Sequence, residues 1–422
     1  MLAAPIQRLD RRTTLTAIAA TLLAALATVS CTNGSGPANT SAACAAPGVS
    51  PHEIRVGLIY PDSGPISGEL EAARSGADAR FGLVNAAGGI NGRKITYTWQ
   101  DDNSSTSGNG TAVRSLFEST SVFGLLEASI NADGGADYLR SNQIPAVGLP
   151  ITNVWSDPSY TTMFSYPSLI TGGPVSDVVG RYVREHGGHR AIVVTTETAS
   201  GVQGFDPPLA KSFAEAQVPT TTVPYNSAVT SPSEFVRRLP TDSDVLVLAL
   251  GPNDVLPIDA AVNAAGNRFK VVVAIAGSGD ATIQKYGSSV AGLTTFSTIV
   301  PFRANLPAQQ DYLKAVATYA PELQPATQEV ALGTYIAADI LVQGLIAAGA
   351  CPTRTGFINA LRGMQNYNAE GMLAGKVDFT KTHQEINCLI FTRVNDAGTA
   401  FEVVPDTVPG APSQTEWCGA GS

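Results

Sequence analysis

Along most of this chain, short runs of aliphatic and β-branched residues alternate with stretches whose apolar positions recur every three or four residues. Ile54-Arg55-Val56-Gly57-Leu58-Ile59 is the first such run, and it ends in Pro61-Asp62-Ser63-Gly64-Pro65, as a buried strand leading into a turn reads. Leu70, Ala73, Ala77, Phe81 and Val84 then follow at helical spacing until Ala86-Ala87-Gly88-Gly89 supplies the stop. The pattern next predicts strands at Lys94 to Trp99, Val122 to Leu126 and Ile144 to Val147, with a helix through Val113 to Phe117. Strand and helix in alternation imply a parallel sheet covered on both faces.

The rhythm then begins again. A helix over Val175 to Arg184, a strand at Ala191 to Val194, a helix near Leu209 to Ala216 and a strand around Thr221 to Val223 lead to the two most apolar runs, Val245 to Leu250 and Val271 to Ile275. A second parallel sheet follows from these. Met163 to Pro167, aromatic and turn-forming, predicts a crossing between two lobes, and Val300-Pro301-Phe302 predicts the return. Helices over Ala308 to Tyr319, Val330 to Ala348 and Thr355 to Met364 come next, then short strands at Lys376 to Phe379, Leu389 to Val394 and Phe401 to Val404. The fold class is α/β, with lobe 1 at 51–165 and 302–375 and lobe 2 at 166–301 and 376–422. Two lobes also suit the length of 422 residues, since single cores stop growing at roughly 250–300.

The N-terminus stands outside this pattern. Arg8, Arg11 and Arg12 precede an apolar run from Leu15 to Val29 and then small residues, the form of an export signal over residues 1–30. Thr28-Val29-Ser30-Cys31 resembles the bacterial lipobox, with Thr28 where that pattern favours Leu, Val or Ile, so Cys31 is the expected lipidation site. Residues 31–50, rich in Ala, Thr, Gly and Ser and free of charge, read as a flexible tether. No other stretch reads as a membrane span, and a lipid anchor is the expected membrane link.

Charge excludes further classes. With 26 Lys and Arg against 35 Asp and Glu, a net charge of −9, the chain lacks the basic surface of a nucleic-acid binder; at 44% hydrophobic residues it is too apolar for a disordered chain. No Gly-x-Ser-x-Gly elbow, P-loop or dinucleotide fingerprint occurs, so an enzyme, a secreted hydrolase included, has little support. Asp101-Asp102 has no third ligand at useful spacing and reads with Asn103-Ser104 as turn formation and helix capping rather than a metal pair. No metal or cofactor is expected.

Val56-Gly57, Ser63-Gly64-Pro65, Asn85 to Arg93 (NAAGGINGR) and Asp101-Asp102 fall in order at one family's spacing. The chain resembles the substrate-binding proteins of ABC importers of the branched-chain amino-acid type, which have the type I periplasmic-binding fold, over essentially its whole length after the tether. The resemblance implies two doubly wound parallel-sheet lobes joined by three hinge crossings, which trap a small polar ligand and deliver it to a permease and its ATPases. It also implies an extracytoplasmic, membrane-anchored lipoprotein acting as a monomer. Sensing on behalf of a separate membrane receptor is the alternative.

In open α/β sheets the ligand crevice lies beyond the carboxyl ends of the strands. Ser63, Ser129, Thr152, Ser200, Asn253, Ser278 and Asp280 stand at such ends. Carried over from the family, Ser129 and Thr152 occupy positions whose hydroxyls hold an amino acid's carboxylate and amine. Glu69 falls where amino-acid binders often place an aromatic residue, Ser200 where a tyrosine is common, and Ser278 where a glutamate receives the ammonium, with Asp280 near enough to substitute if the loop shifts. A cationic amine would then need Glu69, Glu127 or Asp280, because an unpaired buried charge costs several kcal/mol.

Five cysteines remain to be placed. With Cys31 set aside as the lipid anchor, Cys44, Cys351, Cys388 and Cys418 can pair in three ways in an oxidising compartment. Cys44 precedes the first strand and Cys351 follows a long helix, which puts both at the first lobe's outer end, while Cys388 and Cys418 share the C-terminal extension. Cys44–Cys351 and Cys388–Cys418 are the expected pairs.

Overall fold

The computed structural model describes residues 44 and 46–420 except 172, 197–205, 383 and 410–414. The expected signal segment, Cys31 and Ser200 lie outside the described residues. In β1 (Glu53–Tyr60), Ile54, Val56, Leu58 and Tyr60 enter one core while Ile59 enters another. This two-residue period is that of a strand covered on both faces. β1 pairs in parallel with β2 (Lys94–Asp101) on one side and β3 (Leu125–Glu127) on the other; β4 (Ala146–Gly148) and β5 (Met163–Phe164) follow in parallel. The order is β2-β1-β3-β4-β5. The connections carry α1 (Ser67–Leu70), α2 (Ala72–Ala86), α3 (Thr106–Ser119) and α4 (Asp133–Ser141). Met163 and Phe164, read from sequence as part of a crossing, form the edge strand of this sheet, and the chain leaves only after them.

A second sheet contains β6 (Ala191–Thr196), β7 (Thr220–Tyr225), β8 (Val245–Ala249), β9 (Val271–Ala274), β10 (Leu293–Ser297), β11 (Cys388–Val394) and β12 (Phe401–Val403), with β13 (Trp417–Cys418) paired to β11. Its helices are α5 (Val178–Glu185), α6 (Asp206–Glu215), α7 (Pro232–Arg238), α8 (Pro252–Ala264) and α9 (Asp280–Tyr286). Here too the period of two sorts side chains: Val245 and Val247 face the core under α5 and α6, and Leu246 and Leu248 the core under α7 and α8. The parallel part runs β7-β6-β8-β9-β10, the same order as the first sheet. The sheet is not wholly parallel as expected, because β11 pairs antiparallel with β10, β12 and β13. Antiparallel neighbours need only short connections, and a short turn carries the chain from β11 to β12 without a helix.

Between the two sheets the chain returns to build the first body. α10 (Pro307–Tyr319), α11 (Glu329–Ala347) and α12 (Arg354–Arg362) share a core with α2 and β1. α11 is long and apolar enough to cross a membrane, yet most of it is buried within the protein. It lies so close to α2 that a Cβ on Gly76 would come within 2.1 Å of the Ala331 carbonyl oxygen. Val377 and Phe379 also belong to this core, and the expected strand at Lys376 to Phe379 is only a single bridge between Tyr367 and Val377. The crossings meet where Ala374 N–H donates to Thr298 O (2.8 Å) and Val300 N–H to Met372 O (2.8 Å), with Pro167 of the first crossing lining the same small cavity as Thr298 and Gly375. Disulfides join Cys44 to Cys351 and Cys388 to Cys418.

Candidate functional site

Both sheets switch direction of winding between their first and third strands, β1 and β3 in one, β6 and β8 in the other, and it is beyond the carboxyl ends at such a switch that open α/β sheets hold their ligands. On the first sheet the loop after β1 is built on the end of β2. Asp101 Oδ1 accepts the backbone N–H groups of Asp62 (3.0 Å), Ser63 (3.3 Å) and Asn103 (2.8 Å), and Ser63 Oγ donates to Asp101 Oδ2 (2.6 Å). Burial alone would raise the Asp101 pKa, but the Ser63 hydroxyl and these N–H donors outweigh it and hold the pKa below its ordinary value. Gly64 lets the two loops touch: its φ is +92°, and a Cβ there would stand 2.6 Å from Ser104 Oγ. Ser63 is therefore exposed at the end of β1 with its hydroxyl already given to Asp101.

Beneath this surface lies a buried polar knot. Asp102, Asn109, Glu127 and Ser129 are all fully buried. The Ser129 hydroxyl donates to Asp102 Oδ2 and accepts the Asn131 N–H at 2.9 Å, while Asn109 Nδ2 donates to Glu127 Oε1 at 2.5 Å. Burial, opposed by the Asn109 hydrogen bond and reinforced by Asp102 and Asp133, pushes the Glu127 carboxyl up to about 8. This favours the neutral, protonated carboxyl at neutral pH and disfavours a negative charge there for a ligand. Asp101 and Asp102 thus serve turns, as their sequence context suggests, and Asp102 also anchors the hydroxyl of Ser129, which the sequence did not reveal.

The remaining expected residues divide between the two sheets. Thr152, half-buried, follows β4 and precedes a short 3-10 turn (Asn153–Ser156); its hydroxyl makes no hydrogen bond among the described residues. Glu69 is exposed on α1, and Asn253 is exposed at the start of α8. Asp280 is the first residue of α9. Ser278 sits in the loop after β9 between Gly277 (φ +94°) and Gly279 (φ +106°). Its hydroxyl donates to Glu329 Oε1 at 3.3 Å. This bond reaches from the second sheet to the N-terminus of α11 in the first body. Sequence reading missed Glu329 because an acid in a first helical turn is accounted for by the helix dipole alone. Burial raises its pKa, and the Ser278 hydrogen bond offsets this only in part.

The pattern of residues has a match: positions 53–399 fit the family model described as periplasmic binding protein. The chain belongs to that family of extracytoplasmic solute-binding proteins. Among curated protein sequences none matches. Solved structures of the same fold include a fatty acid ABC transporter substrate-binding protein from Thermomonospora curvata, 16% identical with a TM-score of 0.63 over 88% of this chain and 94% of that one. A branched-chain amino acid transporter substrate binding protein from Streptococcus pneumoniae, in complex with isoleucine, is 16% identical with a TM-score of 0.62 over 83% and 99%. An ABC transporter substrate binding protein from Aeropyrum pernix gives a TM-score of 0.69 at 12% identity over 88% and 97%. The α/β lobes of this binding protein are those of the type I periplasmic-binding fold, joined by the three crossings described above.

Proposed function

We propose that this binding protein captures a small polar ligand, an amino acid or a related amide or carboxylate, between its two sheets and delivers it to an ABC permease. The observation that carries the reading is the pair of equivalent switch points: polar residues stand at the strand ends of both sheets, and Ser278 and Glu329 bridge from one body to the other. Similar folds bind isoleucine in one case and are named for fatty acids in another, so the ligand class has to be read from this chain's own residues. Ser63, Glu69, Ser129, Thr152, Ser200, Asn253, Ser278 and Asp280 are the proposed contacts. Ser129 contributes through its backbone and through the loop it pins. Capture by hinge closure needs no cofactor, metal or covalent step.

The proposed anchor is a lipid on Cys31, with the protein acting as a monomer at the outer face of the membrane. The tether is tied down by Cys44–Cys351, beyond the C-terminal end of α11. A 19-residue helix is roughly 28 Å long, so that bond lies about a helix length from Glu329 and the crevice. Anchoring there leaves the ligand loops free to meet a permease.

A thermal-shift panel of amino acids, amides, carboxylic acids and polyols tests the reading. A true ligand at 100 times its Kd is expected to add about 2.7 kcal/mol of stability. Thr152→Ala is expected to leave the unliganded midpoint unchanged and to weaken the ligand at least tenfold. Ser129→Ala is expected to cost about 1.5–3 kcal/mol even without ligand, because Asp102 loses a hydrogen bond in a fully buried site. A panel with no stabilising compound would remove the basis of the reading.

A further inference from the structure

Two carboxyls are enclosed together under the strand ends of the first sheet. Asp102 follows β2 and Glu127 ends β3; both are fully buried, and one side-chain amide spans them. Asn109 Nδ2 donates to Glu127 Oε1 at 2.5 Å and reaches Asp102 Oδ2 at 3.5 Å. Around Glu127 stand Ile59 and Gly148 on the paired strands β1 and β4, Asn109 on α3, and the charges of Asp102 and of Asp133, the exposed first residue of α4. Both of those charges are negative. Two like charges this close in a buried site are not held at once, so the pair keeps one proton.

Donors are divided unequally between them. Besides Asn109, Asp102 accepts the Ser104 N–H at 2.9 Å and the Ser129 hydroxyl. Glu127 has Asn109 alone, and its Oε2 has no partner among the described residues. The proton therefore rests on Glu127 and the negative charge on Asp102, whose grip reaches three loops. Ser104 Oγ in turn donates to Ser63 O at 2.8 Å in the loop after β1, and Ser129 Oγ accepts the Asn131 N–H at 2.9 Å in the loop after β3. Helix α4 presses on the amide from its own side: a Cβ on Gly135 would stand 3.1 Å from Asn109 Oδ1. Asn109 has no room to turn away, and repulsion within the pair is relieved toward the loops, where Asn103 and Ile130 are exposed.

We propose that Asp102 and Glu127 form a one-proton switch beneath these loops: with the proton in place the loops are pinned, and its loss sets two buried carboxylates against each other and frees them. Burial, opposed by Asn109 and reinforced by Asp102 and Asp133, places the change at about pH 8. The switch itself does not depend on ligand capture. Its consequence, capture confined to neutral and acidic solution, rests on the reading of a ligand between the sheets.

The test is hydrogen–deuterium exchange of the unliganded protein at pH 6.5 and pH 9, corrected for intrinsic rates, in the wild type and Glu127→Gln. The Ser104, Ser105 and Asn131 amides, which donate to Asp102 Oδ1, Asp102 O and Ser129 Oγ, report on the loops, and β8 of the other sheet is the reference. At pH 9 the wild type is expected to lose about tenfold more protection in 102–105 and 129–131 than in β8, and Glu127→Gln is expected to lose no more there than in β8. Gln has the shape of the neutral carboxyl and still accepts from Asn109, so the variant is expected to fold at pH 6.5 with a thermal midpoint at least as high as that of the wild type. Equal loss in the loops and in β8 overturns the switch, as does a loop loss in Glu127→Gln that matches the wild type, which would place the pH response elsewhere. A Glu127→Gln chain that fails to fold at pH 6.5 overturns it too, because a neutral group of that shape would then not suit the site. None of these outcomes decides whether a ligand binds, so failure here is distinct from failure of the capture reading.

Discussion

Asp259→Asn is expected to stabilise the protein at pH 8 by on the order of 4 kcal/mol, and by only about 1 kcal/mol at pH 4.5. Asp259 lies on α8, is 1% exposed, and neither carboxylate oxygen has a partner among the described residues. Burial pushes its carboxyl up to about 7, against 3.8 in the unfolded chain. The sign follows from proton counting. Below pH 3.8 both states hold the proton and the site is neutral to stability. As the pH rises through the unfolded value, only the unfolded chain releases its proton, so folding is penalised increasingly until the folded group also ionises near pH 7. Asn cannot ionise and escapes the penalty. Chemical denaturation of both proteins across this range measures it; a gain that does not grow with pH would show that Asp259 is ionised and paired in the folded state.

Asp339→Ala is expected to destabilise by about 3–5 kcal/mol, the cost of breaking a buried ion pair. Arg80 of α2 donates twice to Asp339 Oδ1 on α11, through Nε at 2.9 Å and Nη2 at 2.7 Å, and the Tyr367 hydroxyl donates to Oδ2 at 2.8 Å. The change leaves the Arg80 guanidinium without its carboxylate and the Tyr367 phenol with only the Ile336 carbonyl, at 3.4 Å. Asp339→Asn should cost less, since it keeps an oxygen for one of the donors. Because Asp339 lies well along α11 from Glu329, ligand affinity of the folded fraction should stay within twofold. A stability loss below 1 kcal/mol in Asp339→Ala would mean that packing, not this pair, holds α2 to α11.

The sequence showed the architecture where periodicity is long and missed it where elements are short. β1 and α2 were legible because their apolar residues kept one period, and β8 and β9 because they are uninterrupted apolar runs. β5 and β13 are two residues each and carry no period to detect. The antiparallel β11 was legible as a strand but not in direction, because an alternating pattern is the same for either partner. At the site, the strand-end hydroxyls could be read as a crevice, yet their partners could not. Ser129 meets Asp102 from 27 positions away, and Ser278 meets Glu329 from 51. Such contacts depend on how the sheets are assembled, and each residue alone has an adequate local reading as a cap or a dipole complement. The buried state of Glu127 is likewise a product of assembly: as an acid at a strand end it reads as an amine acceptor, and only the surrounding core makes it a protonated one.

The central claim is that a small molecule is held between both sheets at once. Hydrogen–deuterium exchange of the protein with and without its stabilising compound tests this most directly. The account predicts joint protection of 62–69, 101–105 and 129–131 on the first sheet and of 251–254 and 275–279 on the second. Protection of one sheet alone, or of the groove between α2 and α11 beside Ile346 and Ile90, would contradict it.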